Sequence, residues 1–228
     1  MSNKVVLQCM LLLLCAQRSL TEDRLMSVPE TIEFVKLVYC GVGPWDGIRE
    51  AQSRANPAAR PALHRMLKDR AHRDEWPQVV VSFAYLGQKE DVAKLEKFLL
   101  SRRGILSTSE DNAVAMIFQA YGGMGARGVA EAKAKLKEMT TPHYWQGVQF
   151  LIYAEQPAGY PSFVNYMRLD ALRGYAITLA DDFGEVARAL TDSASDLHER
   201  QTVEEQVEAA VELEHEYRKF SSESPRKN

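Results

Sequence analysis

Two stretches of the sequence predict the same succession of structural elements. FAYLGQKEDVAKLEKFL spans residues 83–99, and FQAYGGMGARGVAEAKAKL spans residues 118–136. Each predicts an aromatic-containing helix that ends at glycine, then a short turn, then a charged amphipathic helix. Phe83 matches Phe118 at a spacing of 35, and the spacing grows to 37 by the end of the unit. This drift predicts extra residues in the turns, where insertions are tolerated.

Helical periodicity continues outside these stretches and predicts an all-α chain of about ten helices. Ser27 and Glu30 have the spacing of a capping box at the start of the first helix. Asp74 is predicted to cap the helix that contains three consecutive valines, and Ser109 is predicted to open a later one. The Thr141–Pro142 pair is a further start signal.

Glycines and prolines predict where the helices end. Gly122, Gly123 and Gly125 are expected to break the chain between the two helices of the second stretch. A helix is then predicted over residues 141–152, followed by a proline-rich break at 157–161. No strand pair is predicted anywhere in the chain.

The last helix is predicted to be long and amphipathic. Thr202 and Glu205 again have capping-box spacing, and apolar residues share one face as far as Tyr217. Six glutamates between residues 204 and 216 are interpreted as a solvated face. Residues 221–228 are predicted to be a disordered tail.

The segment from Arg60 to Met139 resembles HEAT-type repeats. The resemblance rests on ALHRMLKDRAHRDEWPQVVVSFAYLGQKEDVAKLEKFL and DNAVAMIFQAYGGMGARGVAEAKAKLKEM. A helix–turn–helix unit of about 36 residues is typical of α-solenoids. The resemblance implies a short HEAT-like α-solenoid of antiparallel helix pairs with an irregular middle, because residues 140–180 fit the period poorly. An irregular helical bundle and a fold with a substantial sheet are the alternatives.

The N-terminus has the pattern of a secretory signal peptide. Lys4 precedes an uncharged, mostly apolar run from Val5 to Ala16. This run is too short to span a bilayer and fits the apolar core of a signal peptide. We therefore expect an exported bacterial protein, periplasmic or secreted. A cytoplasmic chain, or one anchored to the membrane by a lipid at Cys15, is the alternative.

The predicted organisation has four parts. A signal peptide at 1–16 precedes a polar spacer at 17–26, a single α-helical repeat-like domain at 27–220, and the tail at 221–228. Cleavage after the signal peptide leaves Cys40 as the single cysteine, so no intrachain disulfide is expected. No transmembrane span is expected in the mature chain, and the sequence does not predict an oligomeric state.

No motif or grouping of residues in the sequence predicts catalysis or a metal centre. HExxH, paired CxxC and G-x-S-x-G patterns are absent. His64 and His72 are eight residues apart and are interpreted as solvated. No cofactor is predicted.

The formal net charge is −3, which argues against a protein that wraps nucleic acid. The most basic stretches are Arg102–Arg103 and the segment from Arg60 to Arg73. They could form a modest cationic ridge that meets an acidic partner or lipid head groups. Ordinary surface charge is the simpler interpretation.

Aromatic residues concentrate between residues 143 and 166, around the proline-rich break. Trp145, Phe150 and Phe163 are expected in the core. Aromatic side chains with polar groups suit recognition surfaces. The candidate partner-binding residues are Tyr144, Gln146, Gln149, Tyr153 and Tyr160.

The main functional hypothesis is a non-catalytic protein-binding or scaffold module, because HEAT-like stacks present extended surfaces to protein partners. An enzyme is the alternative, since some HEAT-like proteins are DNA glycosylases or chromophore lyases. A glycosylase would use Trp and Asp side chains beside a basic groove, and Trp45 lies near Asp46 and Trp76 near Asp74. A purely structural helical role is the third hypothesis.

Overall fold

The computed structural model describes residues 24–37, 52–155, 161–193 and 197–223; for 197–199 and 220–223 it describes the backbone only. The described chain is mostly helical, as the sequence predicts. The α-helices in these ranges are α1 Val28–Leu37, α2 Arg60–Met66, α3 Trp76–Leu86, α4 Lys89–Leu100, α5 Thr108–Ala126, α6 Ala130–Met139, α7 Phe163–Ile177, α8 Phe183–Asp192 and α9 Leu197–Glu223.

Several sequence predictions fall outside the described residues. They concern the signal peptide at 1–16, most of the spacer at 17–26, Cys40, Trp45 and Tyr160. Among the helices that are described, none combines the length and the apolarity needed to cross a membrane.

Helix α5 lies at the centre of the packing. It packs against α3 on one side and α7 on the other, while α1 packs on α3 and α9 packs on α7. Helices α4 and α6 contact each other beside this row, and α8 contacts α7 and α9. The amphipathic pattern predicted for α4 is confirmed, because Val92, Leu95 and Leu99 are all buried.

Three short 3-10 helices and two short strands complete the described chain. The 3-10 helices are Pro57–Ala59, Arg70–Glu75 and Pro142–Trp145. Strands β1 (Gly104–Ile105) and β2 (Phe150–Leu151) pair in parallel. The sequence predicted no strand pair, and that prediction is wrong.

The helix predicted over residues 141–152 is also wrong. The segment begins with the 3-10 helix Pro142–Trp145, but Gly147 has a φ of +85°. Glycine adopts this left-handed conformation at little cost, and a right-handed helix cannot continue through it. The chain therefore turns out of the helix and enters β2.

The three glycines expected to break the chain lie inside α5 instead. A Cβ added at Gly123 would lie 2.5 Å from the Cβ of Ala84 in α3. A Cβ added at Gly122 would lie 2.7 Å from the carbonyl oxygen of Gly174 in α7. Glycine weakens a helix interior, but here it allows two neighbouring helices to approach closely.

The predicted helix start is confirmed at Ser27 and wrong at Asp74 and Ser109. The Ser27 amide donates to Glu30 Oε2 at 2.7 Å, as the predicted capping box requires. Helix α5 is capped by Ser107, not Ser109. The Ser109 hydroxyl instead donates to Asp74 Oδ1 at 3.0 Å. Asp74 does not cap α3, because the N-cap position of that helix is Glu75.

Helix α9 begins at Leu197, so Thr202 lies inside the helix and is not its cap. The predicted buried face is borne out at Val203 and Ala210. Most of the glutamates between 204 and 216 are exposed, but Glu214 is buried and contacts Arg218. The helix reaches Glu223 and so extends into the predicted tail.

Candidate functional site

The aromatic segment divides into core and surface. Trp145 and Phe150 are buried, as predicted, and the Trp145 indole nitrogen donates to the Met139 carbonyl at 2.7 Å. Phe163 is half-buried and packs edge-on against Phe150, with ring centroids 5.5 Å apart. Phe163 thus packs β2, through Phe150, and the 3-10 helix, through Trp145, against the start of α7.

Tyr144 is half-buried and contacts two neighbouring helices. Its hydroxyl donates to Glu96 Oε1 at 3.0 Å, and Lys135 Nζ lies 5.5 Å from the centre of its ring. Burial and the Glu96 carboxylate raise the pKa of Tyr144 far above its usual range. This side chain joins the 3-10 helix that contains it to α4 and α6.

Gln146, Gln149 and Tyr153 are exposed. The Gln146 side-chain oxygen lies 3.1 Å from His143 Nδ1, and the Gln149 carbonyl accepts from the Gly104 amide at 2.8 Å. Gln149 therefore lies immediately before β2 and Tyr153 shortly after it. The strand, not a helix face, sets the positions of these two candidate residues.

A pocket of about 150 Å³ opens next to Tyr153. Its lining includes Leu151, Ile152 and Tyr153 from β2 and the residues after it, and Pro161, Phe163 and Tyr166 from the start of α7 and just before it. Most of these residues were missed by the sequence reasoning. The sequence FLIY at 150–153 is a short continuous apolar run, which is also consistent with a buried strand, and that signal could have placed β2 beside the pocket.

Exposed apolar side chains lie beside the pocket. Ile105 of β1 is 60% exposed and stands opposite Leu151 of β2, which is 46% exposed. Tyr153 is 44% exposed. We call Ile105, Leu151 and Tyr153 the ladder patch. Single exposed apolar side chains are common on folded surfaces, but contiguous apolar patches mark interaction sites.

The backbone beside the ladder patch offers further groups. The Gly104 and Leu106 amides donate to the Gln149 and Leu151 carbonyls, at 2.8 and 3.0 Å. Within the described ranges the sheet has two strands, so the outer edge of each strand pairs with no other described strand. An open edge carries a row of backbone donors and acceptors that another extended chain can pair with.

Two carboxylates lie close to the pocket residue Tyr166. Burial, followed by the charges of Asp170 and Asp111, raises the pKa of Tyr166 to about 12. Burial also raises the pKa of Asp111 and that of Asp170, although Arg173 Nη1 lies 2.8 Å from Asp170 Oδ1. Carboxyl groups with raised pKa values beside a pocket are typical of functional sites.

The two histidines interpreted as solvated have ordered partners. His64 is buried, and its Nε2 lies 2.7 Å from Asp91 Oδ1. His72 Nδ1 lies 2.5 Å from Glu75 Oε2. Over the described part of the chain, no group of three or more His, Cys, Asp or Glu side chains is arranged to hold a metal ion.

No protein-family model, no curated protein and no solved structure matches this chain.

Proposed function

We propose that this protein is a non-catalytic binding protein that holds an extended segment of a protein partner at the β1–β2 edge. The observation that carries the proposal is the ladder patch. Its three large apolar side chains are exposed, Leu151 and Tyr153 line an apolar pocket, and Ile105 stands opposite Leu151. Burying this surface on a partner is favourable by the hydrophobic effect.

The open edge supports an extended partner rather than a helical one. A segment that adds a strand to the sheet forms main-chain hydrogen bonds, and its alternate side chains enter pockets beside the edge. The pocket next to Leu151 and Tyr153 is placed to accept one such side chain.

The size of the pocket favours a peptide over a free small molecule. Small-molecule sites usually measure about 300 to 1,000 Å³. This pocket measures about 150 Å³, comparable to an engineered cavity of similar volume that binds benzene. One apolar side chain of a partner, aromatic or branched, fits that volume.

The two carboxylates favour a positive charge beside that side chain. Asp111 and Asp170 lie near Tyr166, which lines the pocket. A Lys or Arg of the partner would relieve the unfavourable burial of these carboxylates. We therefore propose an extended segment in which one apolar anchor residue lies within two positions of a basic residue.

The helix contacts fit the HEAT-type resemblance, and we propose the same architecture for the scaffold. In an α-solenoid, the first helices of successive units stack on one another and so do the second helices. The row α3, α5, α7 and the contact between α4 and α6 follow that order. On this proposal β1 and β2 occur where the repeat is irregular.

The test is a selection of random nine-residue peptides displayed on phage, with the full chain immobilised. We expect enrichment of peptides in which an apolar residue lies within two positions of Lys or Arg. The affinities of an enriched peptide are then compared for Leu151→Asp and Leu37→Asp. The two leucines are a matched pair, 46% and 49% exposed, and Leu37 lies on α1, away from the patch.

We expect Leu151→Asp to weaken binding at least tenfold, about 1.4 kcal/mol, and Leu37→Asp to leave it unchanged. Enrichment of acidic peptides, or equal effects of the two substitutions, would contradict the proposal.

A further inference from the structure

The two basic stretches singled out by the sequence meet in space. Arg73 Nη2 lies 3.7 Å from Glu110 Oε1, and Arg102 Nη1 lies 3.5 Å from the same oxygen. Arg70 and Arg103 lie close enough that their charges act on Arg102. We call Arg70, Arg73, Arg102 and Arg103 the arginine cluster.

Arg102 is held rigidly within the cluster. Its guanidinium carbon lies 4.4 Å from the centre of the Phe98 ring and 4.8 Å from that of Trp76. Trp76 is itself fixed, because its indole nitrogen donates to the Met66 carbonyl at 2.9 Å. A guanidinium stacked on aromatic faces loses little freedom when it binds an anion.

The acidic groups beside the cluster do not balance it. Glu110 is shared by two arginines and also accepts from the Ser107 amide and hydroxyl. Asp74 accepts from Ser109, and Glu75 pairs with His72. For the residues that the structure describes, Glu110 is therefore the one carboxylate that forms an ion pair with the cluster, and it is shared by Arg73 and Arg102, while Arg103 donates to the Leu100 and Arg102 carbonyls.

The cluster also has unmet hydrogen-bonding capacity. Among the described residues, the buried Nε atoms of Arg73 and Arg102 have no acceptor. Burial lowers the pKa of Arg102, and the charges of Arg73, Arg70 and Arg103 lower it further despite Glu110. Like charges held together in this way are stabilised by an added anion.

We propose that the arginine cluster binds the phosphoryl group of a phosphomonoester. The planar guanidinium fork matches phosphate oxygens, and Arg73 and Arg102 both reach the Glu110 carboxylate, which a phosphoryl group would displace as their shared anion. The helix dipole favours anions at the amino end of α5, where Glu110 and Asp111 already lie in the first turn. This site adjoins β1, because Arg103 directly precedes Gly104, but it uses no residue of the ladder patch and does not depend on the proposed partner.

The test is a titration of the ¹⁵N-labelled chain with inorganic phosphate, at an ionic strength held constant with sodium chloride. We expect saturable shifts of the backbone amide signals of residues 101–103 and 107–111, outside the β1 residues that the proposed partner would contact. Shifts that do not saturate, or that sodium sulfate and sodium chloride reproduce equally, would show only general attraction of anions and would overturn the proposal.

Three variants make the test specific. Arg73→Gln is expected to weaken phosphate binding about tenfold, the loss of one charge-assisted contact. Glu110→Gln keeps a capping-box side chain but removes the competing carboxylate, so it is expected to tighten binding. Arg188→Gln changes an exposed cation on α8 and is expected to have no effect. Weaker binding in Glu110→Gln with an unchanged far-UV spectrum would overturn the proposal.

The source of the phosphoryl group is separated by two probes. Glycerol 3-phosphate represents a soluble phosphomonoester. Phosphatidylcholine vesicles that contain roughly 20% phosphatidic acid, enough for a negative surface potential, represent a lipid head group. Competition by the soluble probe assigns a soluble ligand. Vesicle binding that Arg73→Gln weakens, without such competition, assigns a lipid. Binding of neither probe would overturn the proposal.

Discussion

Gly123 of α5 lies against Ala84 of α3 so closely that no side chain fits between the two helices. A Cβ at position 123 would lie 2.5 Å from the Ala84 Cβ and 2.9 Å from its Cα. Both neighbours belong to a helix backbone or are attached directly to it, so they cannot move alone. The contact between α3 and α5 therefore depends on glycine at this position.

Gly123→Ala is expected to lower the free energy of unfolding by about 1 to 3 kcal/mol, the usual cost of overpacking a core. Gly184→Ala is the matched control, because it lies in α8 and has no atom within 4 Å of an added Cβ. There the better helix propensity of alanine is expected to stabilise by up to about 1 kcal/mol. Urea unfolding measures both; a stabilising Gly123→Ala would refute the close approach.

Asp91 is buried at the start of α4 and accepts four contacts. The donors are the Gln88 amide at 2.9 Å, Arg60 at 2.8 Å, His64 at 2.7 Å and Lys94 at 3.4 Å. Asp91→Ala removes the capping-box acceptor and leaves buried donors unpaired. We expect a loss of about 2 to 4 kcal/mol in urea unfolding. Glu90→Ala, an exposed neighbour, is expected to change stability by less than about 0.5 kcal/mol.

The same carboxylate gives a pH dependence. Burial alone would raise the pKa of Asp91, but the hydrogen bonds from His64, Arg60 and the Gln88 amide outweigh it and hold the pKa well below its usual range. A lowered folded-state pKa stabilises the protein above the unfolded value of about 3.9, and this stability is lost as the pH falls below it. Thermal unfolding between pH 2 and 6 is expected to show a smaller acid loss in Asp91→Asn than in the unaltered chain. Identical profiles would contradict this assignment.

Arg168 joins three elements from a buried position in α7. Its guanidinium donates to the Thr140 carbonyl at 2.7 Å and to the Ser193 hydroxyl at 2.8 Å, beyond the ends of α6 and α8. Arg168→Met is expected to cost about 2 to 4 kcal/mol, since it leaves buried acceptors unpaired. Arg188→Met, at an exposed position of α8, is expected to cost less than about 0.5 kcal/mol. If the two substitutions lowered the free energy of chemical unfolding equally, the stabilising role assigned to Arg168 would be contradicted.

Asp111 is expected to oppose folding at neutral pH. Burial raises its pKa, so the folded state holds this proton more tightly than the unfolded chain does. The penalty is absent below the unfolded pKa of about 3.9 and present in full above the folded value. Asp111→Asn is therefore expected to stabilise the chain at pH 7 and to have little effect at pH 3. A destabilised Asp111→Asn at pH 7 would contradict the account; Glu131→Gln, an exposed carboxylate on α6, is the control.

The helical class was predictable because each element carries its own pattern. Val92, Leu95 and Leu99 recur at helical spacing, and all are buried. Gly122 and Gly123 misled the prediction, since local rules place paired glycines at helix ends. Their role depends on α3 and α7, which are distant in sequence, so no local pattern contains it.

The candidate site was predicted only in part, for the same reason. Tyr144 and Tyr153 look alike in the sequence. In the structure Tyr144 is half-buried, and its hydroxyl donates to Glu96, which is 48 residues away in sequence. Tyr153 stays at the surface because Gly147 ends the short helix and the chain enters β2. The carboxylates of Asp111 and Asp170 meet only through the packing of α5 on α7.

The central claim is that an extended partner segment pairs with the edge beside the ladder patch. The most direct measurement is the amide chemical-shift map of the ¹⁵N-labelled chain with one enriched peptide from the display selection. We predict the largest shifts at residues 104–106 and 149–153, with slower hydrogen exchange of edge amides in the same two segments. Shifts confined to α9 or to the arginine cluster, with none at β1 and β2, would contradict the account.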